Sequence, residues 1–489
     1  MTAGMSSPEG PQGPQGAPSL ATGRHAKPRA ESGPSQETGP LPQTGPPPET
    51  GPLSQPGSFA QAGPPPGAGP PPQEPGPPTR PGRPDPGLET VDGYLADVLA
   101  SIRPLQPIVL GLSEAENGVL AEDITARSPL PSFDNSAMDG YAVCADDLIT
   151  ASERTPVTLP VVGEVTAGDI AAYAVSPGMC LRITTGAQLP SGADAIVPVE
   201  WTDDGTARVT ISESVARGHA IRRRGDDALE GDVLLTEGTR LGPVQIGLLA
   251  AAGRNSALVH TRPRVVVIST GNELTEPGTP VVPGKIWESN SFMLAAAARQ
   301  AGCLAYRHGV VPDDPREVLP AIEDQLVRAD VIVTSGGISM GGEHDVIKEV
   351  LSRYGTVRFC KVAMQPGMPQ GFGTIGEDRT PIFTLPGNPV SAYVSFQLFV
   401  RPALGVLQGV DMRQLPVERA TLTGPLRSPP GRRSFLRGVL DTAEGTVAPL
   451  SGQGSHQLAT LGKANALIVV PEWVVQLRDG ETADVMSLP

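Results

Sequence analysis

Apolar positions change their spacing several times along this chain, and each change marks a different kind of element. Val91, Tyr94, Leu95, Val98, Leu99 and Ile102 recur every three or four residues, which predicts an amphipathic helix with one buried stripe. From about residue 128 to 221 the pattern breaks into short apolar runs between turns: Leu159-Pro160-Val161-Val162, Cys180-Leu181-Arg182-Ile183, Ala195-Ile196-Val197 and Val209-Thr210-Ile211. Those runs predict a β-rich module, with a helix following near 243–252. Between 263 and 408 the period changes again. Arg264-Val265-Val266-Val267-Ile268 is a continuous β-branched run, as expected of a strand covered on both faces of a parallel sheet. Helices at 289–301, 315–329, 346–354 and 389–405 interleave with strands at 303–311, 331–334, 357–362 and 382–385. Strictly alternating β and α elements predict a doubly wound α/β sheet with right-handed crossovers. Past residue 414 short strands return, with turns such as Ala443-Glu444-Gly445, and predict a small C-terminal β-barrel.

Composition separates one segment from the rest. Residues 1–87 contain no Val, Ile, Tyr or Trp, a single aromatic in Phe59, and runs such as Gly45-Pro46-Pro47-Pro48 and Gly63-Pro64-Pro65-Pro66. Too little apolar surface is available there to offset ordering entropy, so a disordered tail with local polyproline II character is expected. Collagen fails as a reading because glycine does not recur at every third position. The expected order is therefore tail (1–87), N-terminal helical and β-rich modules (88–262), doubly wound α/β domain (263–408) and barrel (414–488).

Charge and cysteine content narrow the function classes. The tail's charges nearly cancel, so the net charge of −15 belongs to the remainder. An acidic body of this kind is a poor match for nucleic acid, whose binding depends on cation contacts to phosphate. Arg222-Arg223-Arg224 is too short to define such a face. Cys144, Cys180, Cys303 and Cys360 form no CxxC pair, which reads as buried thiols in a reducing compartment rather than a disulfide or zinc framework. The N-terminus lacks a hydrophobic signal region, and no uninterrupted apolar run reaches the length of a bilayer span. These features predict a soluble, cytoplasmic protein with no membrane partner.

In a doubly wound domain ligands bind at the carboxyl ends of the strands. Four unusual loops are expected there: Ser269-Thr270-Gly271-Asn272-Glu273-Leu274; Val311-Pro312-Asp313-Asp314-Pro315; Thr334-Ser335-Gly336-Gly337-Ile338-Ser339-Met340-Gly341-Gly342; and Thr384-Leu385-Pro386-Gly387-Asn388-Pro389-Val390-Ser391. Glycines let backbone N–H groups approach an anion, and a helix N-terminus adds favourable partial charge. At Gly387-Asn388-Pro389 a capping Asn388 and a first-turn Pro389 are expected to combine both effects. Ser335-Gly336-Gly337 offers a second anion cradle. Carboxylates at Glu273, Asp313 and Asp345 suit a phosphate accompanied by magnesium (Mg2+), which binds one or two carboxylates plus the substrate's own oxygens. Any one such loop is as readily a tight turn, and Asp313 a helix starter. His344 and His456 have no partner spacing for zinc.

These loops, in this order, resemble the molybdopterin-binding domain shared by MogA-type and MoeA-type proteins. The remainder resembles the MoeA/gephyrin E-domain family of molybdopterin molybdenumtransferases. The segment 131–142, Pro-Ser-Phe-Asp-Asn-Ser-Ala-Met-Asp-Gly-Tyr-Ala, is similar to that family's N-terminal signature. Ile183-Thr184-Thr185-Gly186-Ala187, Ile221-Arg222-Arg223-Arg224-Gly225-Asp226-Asp227, Arg437-Gly438-Val439-Leu440 and Gln453-Gly454-Ser455-His456 extend the likeness, which spans roughly 88 to 488. The resemblance implies a homodimer whose site lies between subunits, and a Mg2+-dependent reaction of adenylylated molybdopterin with molybdate that yields molybdenum cofactor and AMP. An upstream MogA-type adenylyltransferase is implied as a pathway partner, and the tail is a candidate site for a polypeptide partner. By the same resemblance Asp139, Thr185 and Asp227 come from one subunit, and Glu273, Asp313, Asp345, Lys361, Arg437 and Ser455 from the other. Ser335, Gly336, Gly337, Gly387, Asn388, Pro389 and Ser391 bind substrate, and Asp313, Asp345 and Glu273 are the expected metal carboxylates.

Two departures stand out. Where the family commonly has Lys-Pro-Gly-Lys-Pro, this chain reads Gln365-Pro366-Gly367-Met368-Pro369, so two cations implied to hold molybdate are missing. The doubled Gly341-Gly342 before Glu343-His344-Asp345 shifts the register of Asp345. The altered lysines keep a gephyrin-like scaffold, binding a partner polypeptide, as the alternative function. A MogA-type adenylylating activity is disfavoured by the extra modules and barrel.

Overall fold

The computed structural model describes residues 87–338, 345–412 and 415–489. The tail up to residue 86 and the stretch 339–344, which holds the end of the third loop and His344, lie outside the described residues.

The central sheet has six strands in the order Leu304–Arg307, Arg264–Ser269, Val331–Ser335, Thr380–Leu385, Pro369–Ile375, Arg358–Lys361. Its first four strands are parallel, as the continuous apolar runs require. Successive residues feed opposite faces. Val265, Val267, Val331, Val333, Phe383 and Leu385 join the core under helix Asn290–Gln300 and the last long helix. Val266, Ile268, Ile332 and Ile382 join the core under helices Pro315–Leu326 and Val346–Tyr354. Both faces are dry, so no polar alternation appears in the strands.

Strict β–α alternation does not hold at one edge. Strands Thr380–Leu385, Pro369–Ile375 and Arg358–Lys361 pair antiparallel, and Pro369–Ile375 follows its neighbour with no helix between. Its sequence, Pro-Gln-Gly-Phe-Gly-Thr-Ile, hides it. A Cβ on Gly371 would stand 2.1 Å from Thr384 Oγ1, so close approach of the neighbouring strand excludes the β-branched residues that normally advertise a strand. Two other boundaries also shift. The expected strand 303–311 is ordered only over Leu304–Arg307, and the helix from Pro315 ends at Leu326.

The last long helix, Pro389–Leu407, has a π-helical turn at Phe396–Val400 just before Pro402. Proline has no N–H to continue the regular ladder, and a widened turn accommodates the break. Among the described residues it is the one helix long and apolar enough to cross a membrane, but 83% of that stretch is buried inside the fold. It is a core helix: the stretch is as long as a bilayer span, but it is interrupted by polar residues such as Gln397 and Arg401 and packs inside the fold.

The N-terminal helix forms at Val91–Ser101, N-capped by the Thr90 hydroxyl. Its stripe packs on the α/β core, with the Tyr94 ring edge-on to Phe399 at 4.8 Å between centroids. Beyond it the β-rich module is a five-stranded sheet in the order Ala195–Pro198, Gly140–Val143, Cys180–Ile183, Val157–Val165, Arg208–Ile211. Helix Pro243–Ala251 and a three-stranded sheet that includes Ser256–His260 lead from it into the α/β domain. At the C-terminus Arg433–Asp441 pairs with both Thr446–Pro449 and Ala466–Val470, which closes the barrel as expected. A two-residue strand, Met364–Gln365, adds in parallel to Arg433–Ser434 and fastens barrel to α/β domain.

The four cysteines are free thiols, Cys180 and Cys303 buried and the other two half-buried. Burial pushes the Cys303 thiol up to about 12, so it stays neutral and unreactive at ordinary pH.

Candidate functional site

The parallel strands open at their carboxyl ends into a cavity of about 640 Å³. The loops identified in the sequence meet there: Glu273 from the first, Asp313 from the second, Ser335, Gly336 and Gly337 from the third, and Gly387, Asn388 and Pro389 from the fourth. Packing as well as ligand approach requires glycine at 336. Its φ is +101°, and a Cβ would come within 2.3 Å of the Thr270 carbonyl oxygen. Asn290, at the start of helix Asn290–Gln300, ties the third and fourth loops together. Its amide donates to Ser335 Oγ at 2.8 Å and to the Gly387 carbonyl at 2.7 Å. Its own Oδ1 is buried without a hydrogen-bond partner among the described residues.

The first and second loops bring carboxylates to the same cavity. Asp313 Oδ2 accepts from the Asn272 backbone N–H at 3.1 Å, while Asp313 Oδ1 is buried and unpartnered among the described residues. An unsatisfied buried carboxylate oxygen is costly unless a donor or cation meets it. Glu273 lines the cavity too and is exposed. The third expected metal carboxylate, Asp345, caps the start of helix Val346–Tyr354 and does not line the cavity. No group of three His, Cys, Asp or Glu side chains among the described residues is arranged to hold a metal by itself. Glu288 was not anticipated. It lines the cavity although only 2% exposed, and accepts from Ser269 Oγ, the Ser291 N–H and Ser291 Oγ, with Arg307 at 3.4 Å.

A second cavity, of about 370 Å³, adjoins the first and shares His456 with it. Gln365, Met368, Ser391 and Ser455 line it, so the two departures from the lysine pattern occur in its wall. Asn388 does not cap its helix with its side chain. Instead its amide donates to Ser455 Oγ at 3.0 Å, bridging the two cavities. Arg432 also lines this cavity and is the one Lys or Arg among its lining residues. Sequence reading missed it because Arg432-Arg433 looks like a solvated charge pair. Arg437 is placed differently from expectation. It is 1% exposed, donates to the carbonyls of Gly452 and Gly454, and lines neither cavity. Burial lowers its guanidinium below the usual value. In this conformation it shapes the Gly452–Ser455 loop from behind.

Lys361 is exposed at the end of strand Arg358–Lys361, outside both cavities. Asp139 and Thr185 meet in the β-rich module: Asp139 Oδ1 accepts from the Thr185 N–H at 2.7 Å and its hydroxyl at 2.9 Å. Those bonds, the backbone one foremost, hold the Asp139 carboxyl below its ordinary range. Asp227 is exposed near the Arg222–Arg224 run, where Arg223 pairs with Asp134 at 2.7 Å. None of Asp139, Thr185 and Asp227 lines a strand-end cavity within one chain.

Three family models match the chain in order: the MoeA N-terminal region (domain I and II) over residues 89–253, the probable molybdopterin binding domain over 266–405, and the MoeA C-terminal region (domain IV) over 419–488. Molybdopterin molybdenumtransferase 2 of Mycobacterium tuberculosis (strain ATCC 25618 / H37Rv) is 44% identical over 407 residues, covering 82% of this chain and 100% of the relative. The molybdopterin molybdenumtransferase of Haemophilus influenzae is 37% identical over 389 residues, 78% of this chain and 94% of the relative. A crystal structure of the molybdopterin biosynthesis MoeA protein from Pyrococcus horikoshii OT3 superimposes with a TM-score of 0.66 at 30% identity, covering 82% of this chain and 100% of that one.

Proposed function

The chain belongs to the MoeA family, and from that premise we propose that it is a molybdopterin molybdenumtransferase, an enzyme of molybdenum cofactor biosynthesis. The observation that carries this reading is the pair of adjoining cavities bridged by Asn388 and Ser455. One has the glycine amides and polar side chains that suit a phosphate-bearing pterin. The other has the hydroxyls of Ser391 and Ser455 beside the Arg432 guanidinium, which suits a small oxyanion.

The finer mechanism follows the same division. Adenylylated molybdopterin is the proposed substrate, its phosphates against Gly336, Gly337 and Gly387 and its pterin toward Asn290, whose free Oδ1 accepts from a ring N–H. Asp313 and Glu273 would hold Mg2+, a fit supported by the unpartnered Asp313 Oδ1. When bound, Mg2+ supplies positive charge to phosphate oxygens and so favours departure of AMP. Molybdate enters as the second substrate beside Arg432, Ser391 and Ser455. Lys361 and Asp345 line neither cavity and take no part in this scheme.

A second copy of the chain is also the proposed source of Asp139, Thr185 and Asp227, which makes the working enzyme a homodimer. A MogA-type adenylyltransferase upstream and a cytoplasmic location complete the proposal. The scaffold alternative is not favoured, because the curated relatives are named as transferases and the substrate-facing polar groups are retained. The test is an insertion assay with purified protein, adenylylated molybdopterin, Mg2+ and molybdate. AMP release coupled to cofactor that activates an apo-molybdoenzyme is the expected result. A folded protein that binds pterin and releases no AMP at any molybdate concentration would overturn it.

A further inference from the structure

A cavity of about 320 Å³ opens at the other end of the central sheet, and four arginines line it: Arg240, Arg262, Arg299 and Arg401. Arg262 precedes strand Arg264–Ser269, whose far end supplies Ser269 and Thr270 to the strand-end site. Six strand residues at about 3.3 Å each separate the two regions by about 20 Å.

In a chain of net charge −15, four guanidiniums with no carboxylate among the described lining residues are unexpected. Arg240 donates to the Asn117 carbonyl and the Gln408 side-chain oxygen, and Arg262 to the carbonyls of Gly302 and Cys303. Arg299 donates to the Ala305 carbonyl, and Arg401 reaches the Met412 carbonyl at 3.5 Å. No ion pair joins any of the four to a carboxylate among the described residues. Each guanidinium carries five N–H donors, so those bonds leave most of the donors unused. Burial lowers the Arg240 and Arg401 guanidiniums, and the Arg262 charge pushes Arg240 in the same direction.

A purely structural account explains part of this. Arg262 and Arg299 lie at the end of helix Asn290–Gln300, where a cation offsets the partial negative charge. That charge amounts to about half an elementary unit, and two arginines already exceed it. Arg240 comes from another element, but its guanidinium also stands beside Gly302 at that helix end and bonds Gln408, the C-cap residue of the last long helix. Arg401 has no such role, and its charge adds to an excess that the helix end does not balance. The excess positive charge is therefore built into the cavity wall.

We propose that this basic cavity is a binding site for a small polyanion bearing a diphosphate group, separate from the strand-end site. Guanidinium forks match phosphate oxygens in geometry and charge. Met412 and Ala301 are the apolar contributions to the lining, and among the described lining residues there is no aromatic ring to stack a base. Inorganic diphosphate rather than a nucleotide is thus the assigned ligand class.

The test titrates inorganic pyrophosphate into the full chain and into the double variant Arg299→Gln, Arg401→Gln, whose lost contacts are one carbonyl bond each. A site per chain that weakens at least tenfold in the variant, weakens with salt, and leaves transferase turnover unchanged is expected. Because the four charges repel, the unliganded variant should melt no lower than wild type, while pyrophosphate should raise only the wild-type melting temperature. Arg401→Lys, tested singly, should keep more of the affinity than Arg401→Gln. Identical isotherms for wild type and double variant would overturn the site. A lower melting temperature in the variant with no anion-dependent rise in wild type would reduce the arginines to structural anchors. ADP binding much tighter than pyrophosphate, and lost in the same variant, would overturn the inorganic assignment.

Discussion

At the scale of single residues, the proposed oxyanion site turns on Gln365, Met368 and Arg432, which line the second cavity. Gln365 is exposed in the second cavity, and Met368 beside it can offer no hydrogen bond. Arg432 is the charge that remains there. A charge-assisted hydrogen bond is worth about 1.5–3 kcal/mol. The double change Gln365→Lys, Met368→Lys is therefore expected to lower the molybdate concentration needed for half-maximal AMP release by about tenfold or more, since about 1.4 kcal/mol is a factor of ten. Arg432→Ala should raise that concentration by at least about tenfold and leave pterin affinity alone. Molybdate titrations of the variants check both, and an indifferent Arg432→Ala would remove it from the site. Asp313→Ala should abolish AMP release with the circular dichroism spectrum intact. Normal turnover at saturating Mg2+ would contradict the role given to its unpartnered oxygen.

Among the elements, helix Val91–Ser101 shows how charge and packing cooperate. Tyr94 is 1% exposed against Phe399, and losing a buried ring costs about 3 kcal/mol. Tyr94→Ala should accordingly lower the chemical-denaturation midpoint clearly while the sheet's own spectrum persists. Glu89 pairs with Arg358 at 2.7 Å and Asp92 with Arg433 at 2.8 Å. Burial opposes the Glu89 charge, but its bonds to Arg358 outweigh it and the carboxyl is held low; the Arg433 bond lowers Asp92 directly. A carboxylate depressed in the fold contributes stability above its unfolded pKa, about 4, and loses it as pH falls through the folded value. The double variant Glu89→Gln, Asp92→Asn should thus melt below wild type at pH 7, with the gap closing as pH drops under about 4. A gap that persists unchanged at pH 2.5 would show the pairs are not its source.

For the whole molecule, the two groups of expected site residues lie on different modules. Glu273, Asp313 and the glycine loops share one cavity, whereas Asp139, Thr185 and Asp227 lie outside it. If a second copy delivers the latter, mixing inactive Asp139→Ala with inactive Asp313→Ala should restore part of the activity, because each heterodimer contains one site free of both changes. Subunit exchange is verified by mass before assay. No recovery after verified exchange would count against a shared site.

Local patterning alone determined a good deal. The β-branched run at 264–268 specified a strand covered on both faces, because only continuous burial tolerates continuous apolarity. Helix 91–101, the β-rich character of the N-terminal module and the barrel followed from period and turn residues, and the glycine and carboxylate loops marked the strand-end cavity. Tertiary structure decided the rest. Strand Pro369–Ile375 exists because it pairs with strands on both sides, and it goes unseen in the sequence because the neighbouring Thr384 demands glycine at 371, a cross-strand fact with no local signal. Arg437 turned toward the Gly452 and Gly454 carbonyls, sixteen or so positions away, and Arg432 faced the cavity instead. Asn290 gained its contacts only when two remote loops closed on it, and Glu288 combined local bonds from Ser291 with one from the end of a strand nineteen residues away. The four arginines at the opposite end stand at 240, 262, 299 and 401, too far apart in sequence for any motif to register. Periodicity reports which face a residue buries, whereas the partner it meets depends on chain closure across hundreds of positions, and that partner sets its chemistry.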